Sequence, residues 1–296
     1  MTHTRRLLPL CVLLAMLAAG VSVNHTQAGA TSSPASVPAR TALLGAFGPE
    51  VKELQGKLIN KRVEDVQGMK FFLGTLNGRE VVLAETGIGK VNAAMTTTLM
   101  IDRYHPTEII FSGIAGGVSD RVKPGDIVIG DKVGQHDFGF VSDDGMRIDE
   151  LVSPTDGKAH PKLMPCDARL VALAVAAGTK AAFSAIRTSQ GERTPQVLTG
   201  IIATGDVFVA SDRKKAELTR QLGADAVEME GGAVVQVARQ LKTPVLVVRS
   251  ISDMADASAQ IDIKQFFEIA ARNSATLVAT VVESLAAPTA AAQPAP

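Results

Sequence analysis

Hydrophobic and polar positions alternate in two rhythms along this chain. Short apolar runs such as TALLGAF, GDIVIGD, TGIIATGD and TPVLVVRSISD read as strands, and EIIFSGIAGG as a strand running into a Gly-rich turn. Segments with apolar residues three and four apart fall between them and read as helices: PEVKELQGKL, GKVNAAMTTTLMIDRY, ARLVALAVAAGTKAAF, SDRKKAELTRQL, GGAVVQVARQL and IDIKQFFEIAARNSATLVATVVESL. Pro49 suits the first turn of the first helix, and Ser211 is placed to cap the fourth. KFFLGTL and REVVLAE flank Asn77-Gly78, a strong hairpin signal. DAVEME reads as one more short strand, and the polar stretch from Val141 to Met164 as a long loop.

Strands separated by helices become parallel neighbours, and the hairpin adds an antiparallel pair. The fold expected is therefore α/β, a single domain with a mixed central β-sheet flanked by helices. Ligands of such sheets gather beyond the carboxyl ends of strands. Four strand ends carry unusual residues there: GAFGPE, GIAGG, VEMEGG and RSISD.

The termini follow neither rhythm. Arg5 and Arg6 precede an apolar run from Leu7 to Val23, and Ala28-Gly29-Ala30 comes after it, which is the pattern of a cleavable signal peptide over 1–30. The run is interrupted by Pro9 and Gly20 and is short for a membrane anchor, the alternative reading. Residues 31–41 read as a Ser/Pro/Ala linker and 287–296 as a low-complexity tail, leaving 42–286 as the folded domain. The implied location is periplasmic or secreted, with no stable membrane association once the leader is cleaved.

Composition narrows the function classes. The chain has 296 residues, is 46% hydrophobic, and has a formal net charge of zero, so nothing in it forms a basic footprint for nucleic acid. It has no Trp and few other aromatics, which argues against a base-stacking platform. Cys166 is the only cysteine left after leader removal and reads as an ordinary thiol. No phosphate-binding P-loop and no His/Cys cluster with ligand spacing is present, so neither a metal nor another cofactor is expected. His136-Asp137 could form an imidazole–carboxylate pair, but a structural histidine is the favoured reading. Lys90, opening a helix after ETGIG, could face a phosphate or simply mark a strand-to-helix turn.

Three carboxylates stand at strand ends: Glu50, Glu230 and Asp253. Each alone has an ordinary explanation, in that Glu50 and Glu230 suit the first turns of helices and Asp253 could cap the next element. Together they repel one another unless a ligand or a proton sits among them.

GAFGPEVKELQ, ETGIGKVNAA, FSGIAGGV, KPGDIVIGD, ATGDVFVAS, AVEMEGGAVVQVA and VVRSISDMAD stand in the order found in the nucleoside phosphorylase/nucleosidase superfamily. The chain most resembles the methylthioadenosine/S-adenosylhomocysteine nucleosidases, from Leu43 to Leu285, with the Val141–Pro195 region least alike. The resemblance implies a small nucleoside as substrate and a homodimer as the assembly. It also implies roles by position. Glu50 would activate the attacking water. Met229 and Glu230 would hold the ribose. Asp253 would protonate the purine at N7, with Ser252 beside it. Phe208 would stack on the base, and the backbone of Val209 would read its edge. Ile114 stands near the sugar where such nucleosidases often have a hydroxyl.

Hydrolysis is favoured over phosphorolysis. The first loop lacks arginine and supplies Glu50, and Phe111 and Ile114 occupy the strand end where phosphorylases place polar groups. A phosphate-dependent phosphorylase, or an exported nucleoside-binding protein without turnover, are the competing readings. Arg249 is expected to hold a carboxylate or a carbonyl inside the fold. Glu228 and Glu230 are in phase along a strand, so a break from strand to helix between them is expected, sending only Glu230 to the ligand.

Overall fold

The computed structural model describes residues 39–188 and 191–286; the leader, most of the linker and the tail expected from the sequence lie outside them. The elements in chain order are β1 (Arg40–Gly45), α1 (Gly48–Gly56), β2 (Ile59–Val66), β3 (Met69–Leu76), β4 (Arg79–Glu85), α2 (Lys90–Tyr104) and β5 (Glu108–Gly117). Next come β6 (Ile127–Gln135), β7 (Gly139–Ser142), β8 (Gly145–Ile148), β9 (Met164–Pro165), α3 (Ala168–Gly178), β10 (Ile186–Thr188), β11 (Gly191–Arg193) and β12 (Val197–Thr204). The chain finishes with α4 (Asp212–Leu222), β13 (Ala226–Glu228), α5 (Gly231–Gln240), β14 (Val245–Asp253) and α6 (Ala259–Ala286).

The main sheet has the order β13-β12-β6-β14-β5-β1-β4-β3-β2, with β9 paired to β6. It is mixed, as expected: β1 lies parallel to β4 and β5, whereas β3 lies antiparallel to β4. One additional pairing changes its shape. The short β13 also pairs antiparallel with β5, Ala226 opposite Gly117, so β5, β14, β6, β12 and β13 close into a ring.

Side-chain alternation divides the core between the two faces of the sheet. Ala42, Leu44, Ile109, Phe111 and Val247 point toward α2 and α5, where Ala93, Met100, Val234 and Ala238 meet them. Leu43, Ile110, Leu246 and Val248 point toward α1, α3 and α6, against Leu54, Leu170, Ala174 and Val278. All ten residues of β5 are buried, which fits a central strand covered on both faces.

Local chemistry fixes most element ends. Asn77 and Gly78 both take positive φ, 48° and 81°, the geometry of a tight hairpin turn matched to strand twist. The Ser211 hydroxyl accepts from the Lys214 N–H at 3.3 Å, and α4 stops at Gly223 in the left-handed region.

Three sequence expectations need correction. β2 has no counterpart in the sequence reading: it is an edge strand, largely exposed and charged, joined to β3 by Gln67-Gly68 at φ 55° and 82°. Its charges keep the edge from recruiting another strand, and they also hide its periodicity. The supposed loop from Val141 starts instead as the β7–β8 hairpin, turning at Asp143-Asp144. The third helix ends at Gly178, five residues short of Phe183.

Candidate active site

The chain does leave its strand between the two glutamates. β13 ends at Glu228, and Glu230 is already the N-cap of α5, with φ −136° and ψ −38°. Glu228 turns inward. It accepts from Arg249 Nη2 at 2.6 Å, from the Gly231 N–H at 2.7 Å, from the Glu230 N–H at 3.1 Å and from the Thr204 hydroxyl. Arg249 is 1% exposed; its Nη1 donates to the Val248 and Phe111 carbonyls, and its guanidinium lies 4.0 Å from the Phe111 ring centroid. It therefore holds a carboxylate and carbonyls within the fold.

Glu230 makes a different contact. Its Oε1 accepts from the Gly89 N–H at 2.8 Å, in the loop before α2. Burial, and then the nearby negative charge of Glu228, push its carboxyl up to about 8.

Glu50 sits in the first turn of α1 and curls back toward β1. Its Oε2 accepts from the Ala46 and Phe47 N–H groups, and its Oε1 from the Ile114 N–H at 3.1 Å. Burial raises its carboxyl to about 7, against the opposing pull of Arg249 and these three N–H groups. Asp253, the last residue of β14, accepts from the Ser252 hydroxyl at 2.8 Å and from the Ala255 N–H at 2.8 Å. It does not cap α6, which starts six residues later. Burial raises its carboxyl above the usual range.

Two glycines of SGIAGG make this convergence possible. A Cβ on Gly113 would stand 2.8 Å from Glu50 Oε1 and 3.0 Å from Arg249 Nη1. One on Gly116 would stand 2.8 Å from Asp253 Oδ1. Any side chain at either position displaces a carboxylate.

Glu50, Glu230 and Asp253 open on one cleft of about 170 Å³, which Ile114, Phe208, Met229, Ser252 and Glu228 also line. Val209 lines a small lobe beside it, with Phe208, Met229 and Asp253. The structure thus gathers, in and beside this cleft, Glu50, Ile114, Phe208, Val209, Met229, Glu230, Ser252 and Asp253. It adds three large apolar side chains that sequence reasoning missed: Phe47, Ile88 and Ile263. Phe47 and Ile88 stand within three residues of Glu50 and Lys90, so proximity to those motifs was the available signal. Ile263 lies in α6 and carries none.

Chemically, four nearly buried carboxylates line the cleft; Glu228 is paired with Arg249, whereas Glu50, Glu230 and Asp253 have no cation within 4.0 Å among the described residues. Glu50 and Glu230, at about 7 and about 8, can give or take a proton at physiological pH, and the Asp253 carboxyl is shifted in the same direction. His136 and Asp137 form no such pair. Asp137 bonds Lys90 and the Asp206 N–H, while both ring nitrogens of the buried His136 lack a partner among the described residues. Lys90 is likewise engaged by its neighbours. Cys166 is buried away from the cleft, and burial pushes its thiol up to about 12.

Residues 40–283 match the family model of the phosphorylase superfamily. A 5′-methylthioadenosine/S-adenosylhomocysteine nucleosidase from Psychromonas ingrahamii is 34% identical over 248 residues, which are 83% of this chain and 99% of that protein. The chain belongs to this nucleosidase family. Crystal structures of its members have the same fold. The nucleosidase of Colwellia psychrerythraea, solved in complex with adenine, superposes with a TM-score of 0.72 at 34% identity, covering 84% of this chain and 96% of that one. That of Neisseria meningitidis, in complex with methylthio-immucillin-A, gives 0.70 at 32% identity, covering 83% and 99%. Membership accounts for the order of the motifs.

Proposed function

We propose that the protein hydrolyses the N-glycosidic bond of 5′-thio-substituted adenine nucleosides, methylthioadenosine and S-adenosylhomocysteine, and releases adenine. The observation that carries this reading is the convergence of Glu50, Glu230 and Asp253 on one cleft, without counter-cations among the described residues. Breaking the bond builds positive charge on the ribosyl carbon and negative charge on the departing purine. Asp253, whose carboxyl burial raises and which Ser252 orients, gives its proton to N7 of the base. Glu50, near its midpoint at neutral pH, takes a proton from the attacking water. Glu230 holds ribose hydroxyls over Met229. Phe208 covers the base, and the Val209 backbone reads its edge.

Water is the better nucleophile here. A phosphate would face the Glu50 carboxylate and the apolar Ile114, which packs with Phe47, Ile263 and Phe267. Purified protein with methylthioadenosine should release adenine and free sugar at the same rate with and without phosphate. Ribose-1-phosphate chemistry, with strict phosphate dependence, would replace this reading with a phosphorylase. Tight binding of nucleoside with no release of base would make the protein a binder.

The cleft opens beside an apolar face. Ile88, Val91, Met95, Phe138, Phe140, Val141 and Phe208 are between 41% and 77% exposed, and Val91 and Met95 stand one turn apart on α2. Exposed apolar side chains of this kind are suited to a partner. A second copy of the chain covers it in our reading, making a homodimer whose partner closes the 5′ side of the cleft. Val91→Asp should convert a dimer to a monomer in light scattering; an unchanged mass would remove this face from the assembly. Residues 1–30 act as an export signal in the same reading, and a mature protein beginning near Thr31 in the periplasmic or secreted fraction is the expected finding.

A further inference from the structure

Two loops that line the cleft and a third beside them are joined by one polar knot. The first loop precedes α2 and carries Ile88 and Gly89. The second follows β6 and carries Asp137. The third follows β12 and carries Asp206 and Phe208. Lys90 lies at the centre. Its Nζ donates to Asp137 Oδ1 at 2.6 Å and to Gln135 Oε1 at 3.2 Å, and its backbone N–H donates to Asp206 Oδ1 at 2.7 Å. The Asp206 N–H closes the circuit on Asp137 Oδ2 at 2.8 Å.

Lys90, Asp137 and Asp206 do not line the cleft, but residues two positions from Lys90 and from Asp206 do. Gly89, next to Lys90, holds Glu230 through its N–H, and Ile88 is one residue further back. Phe208 is two residues beyond Asp206. The loop bases are also held by backbone bonds, the His136 N–H to the Thr204 carbonyl at 2.8 Å and the Gly205 N–H to the Glu228 carbonyl at 3.1 Å, but the cleft-side residues gain little from packing. Ile88, Phe138, Val207 and Phe208 are 41% to 55% exposed, so apolar packing within the chain contributes little to their position. The ion pair is better protected: its side chains are 18% and 23% exposed. Burial alone would raise the Asp137 carboxyl, but the Lys90 ammonium and the Asp206 N–H outweigh it and hold the group ionised. Below the knot there is no slack, because a Cβ on Gly205 would collide with the His136 ring.

We infer that Lys90 and Asp137, with Asp206, form a clasp that positions Glu230 and Phe208, and that the clasp sets how tightly nucleoside is held rather than how fast the bond breaks. Asp253 and Glu50 are anchored separately, to Ser252, Ala255 and the β1–α1 turn, and do not depend on it. Lys90 and Asp137 are therefore positioning residues. The inference rests on the nucleosidase reading of the cleft.

The test uses the mature protein with Lys90→Met, Asp137→Asn, the double variant and Lys90→Arg. It measures kcat and KM for adenine release from methylthioadenosine, adenine affinity by calorimetry, and the thermal midpoint. Either single substitution should raise KM and weaken adenine binding about tenfold, with kcat within about threefold of wild type. The double variant should be no worse than the singles, because both remove the same interaction. Lys90→Arg should recover most of the affinity. If Asp137→Asn does not fold, Lys90→Gln, which removes the charge and keeps a polar end, carries the same test. An unchanged KM with a lowered thermal midpoint would reduce the knot to a structural role and overturn the inference, as would additive effects in the double variant. Absence of adenine release by the wild type would instead refute the nucleosidase reading, and adenine affinity across the same variants would still decide on the clasp.

Discussion

Buried carboxylates occur in two regions of this molecule and are treated in opposite ways. Glu108, Asp126 and Asp225 open or immediately precede β5, β6 and β13, are 2% to 3% exposed, and each meets an arginine: Arg79, Arg193 and Arg121 at 2.8, 2.6 and 3.1 Å. Glu50, Glu230 and Asp253 follow or end strands, are 2% to 5% exposed, and meet backbone N–H groups and one hydroxyl. Taking a carboxylate out of water costs several kcal/mol. An ion pair offsets that cost permanently. A proton offsets it reversibly, and reversibility is what acid–base catalysis uses. Glu228 stands between the two sets: it is paired with Arg249, yet it lines the cleft and its charge raises Glu230.

Substitution in each region should separate the two treatments. The largest effect belongs to the cleft: Asp253→Asn or Glu50→Gln should lower kcat for adenine release by roughly 10²–10⁴-fold, with the thermal midpoint held or raised. A matching loss of stability would show that these carboxylates are structural after all. Asp225→Ala should do the reverse. Removing a partner of Arg121, the Ser119 hydroxyl and the Ile201 N–H should cost about 3 kcal/mol and lower the midpoint by roughly 6–12 °C. The turnover of the folded fraction should stay near wild type.

Smaller effects come with pH. Glu50 must be ionised to accept a proton from water, so kcat/KM should fall by up to about tenfold per unit as pH drops below about 7, and Glu50→Gln should abolish that limb. A limb that persists in the variant assigns it to another group. Glu230 gives the smallest effect, and its sign is set by linkage. Its folded value, about 8, lies above the ordinary 4.5, so the native state holds the proton more tightly than the unfolded chain does. The stability this contributes is complete below about 4.5 and is lost as pH rises through about 8. Glu230→Gln should therefore melt several degrees above wild type at about pH 9 and close to it at about pH 5. A variant that melts lower at the alkaline end would place Glu230 with the permanently paired set.

How much of this could be read from the sequence depends on the range of each interaction. The Asn77-Gly78 turn, the Ser211 cap and the break between Glu228 and Glu230 are decided within a few residues, and all three were legible. β2 was not, because an edge strand carrying Lys61, Arg62, Glu64 and Asp65 has no apolar stripe to betray it. Gly113 and Gly116 could be recognised as sites of close approach, but the groups that approach them arrive from positions 50, 249 and 253. The Lys90 knot was illegible for the same reason: Asp137 and Asp206 lie 47 and 116 residues away. Periodicity describes faces of elements, and the cleft is made where elements distant in sequence meet.

The ring of five strands also governs when the protein can become active. β14 sits between β5 and β6, and β13 returns to β5 across more than a hundred residues of chain. Pairings this distant are late in folding, because the chain entropy of closing them is lost before their contacts form. Glu50 emerges early in synthesis, but Glu230 and the acid opposite, Asp253, arrive only with the last quarter of the chain. An amino-terminal fragment that stops before Glu230 carries only one of the three carboxylates, Glu50. During refolding, the first appearance of turnover should mark ring closure itself, so the enzyme's own activity serves as the clock for its slowest structural event.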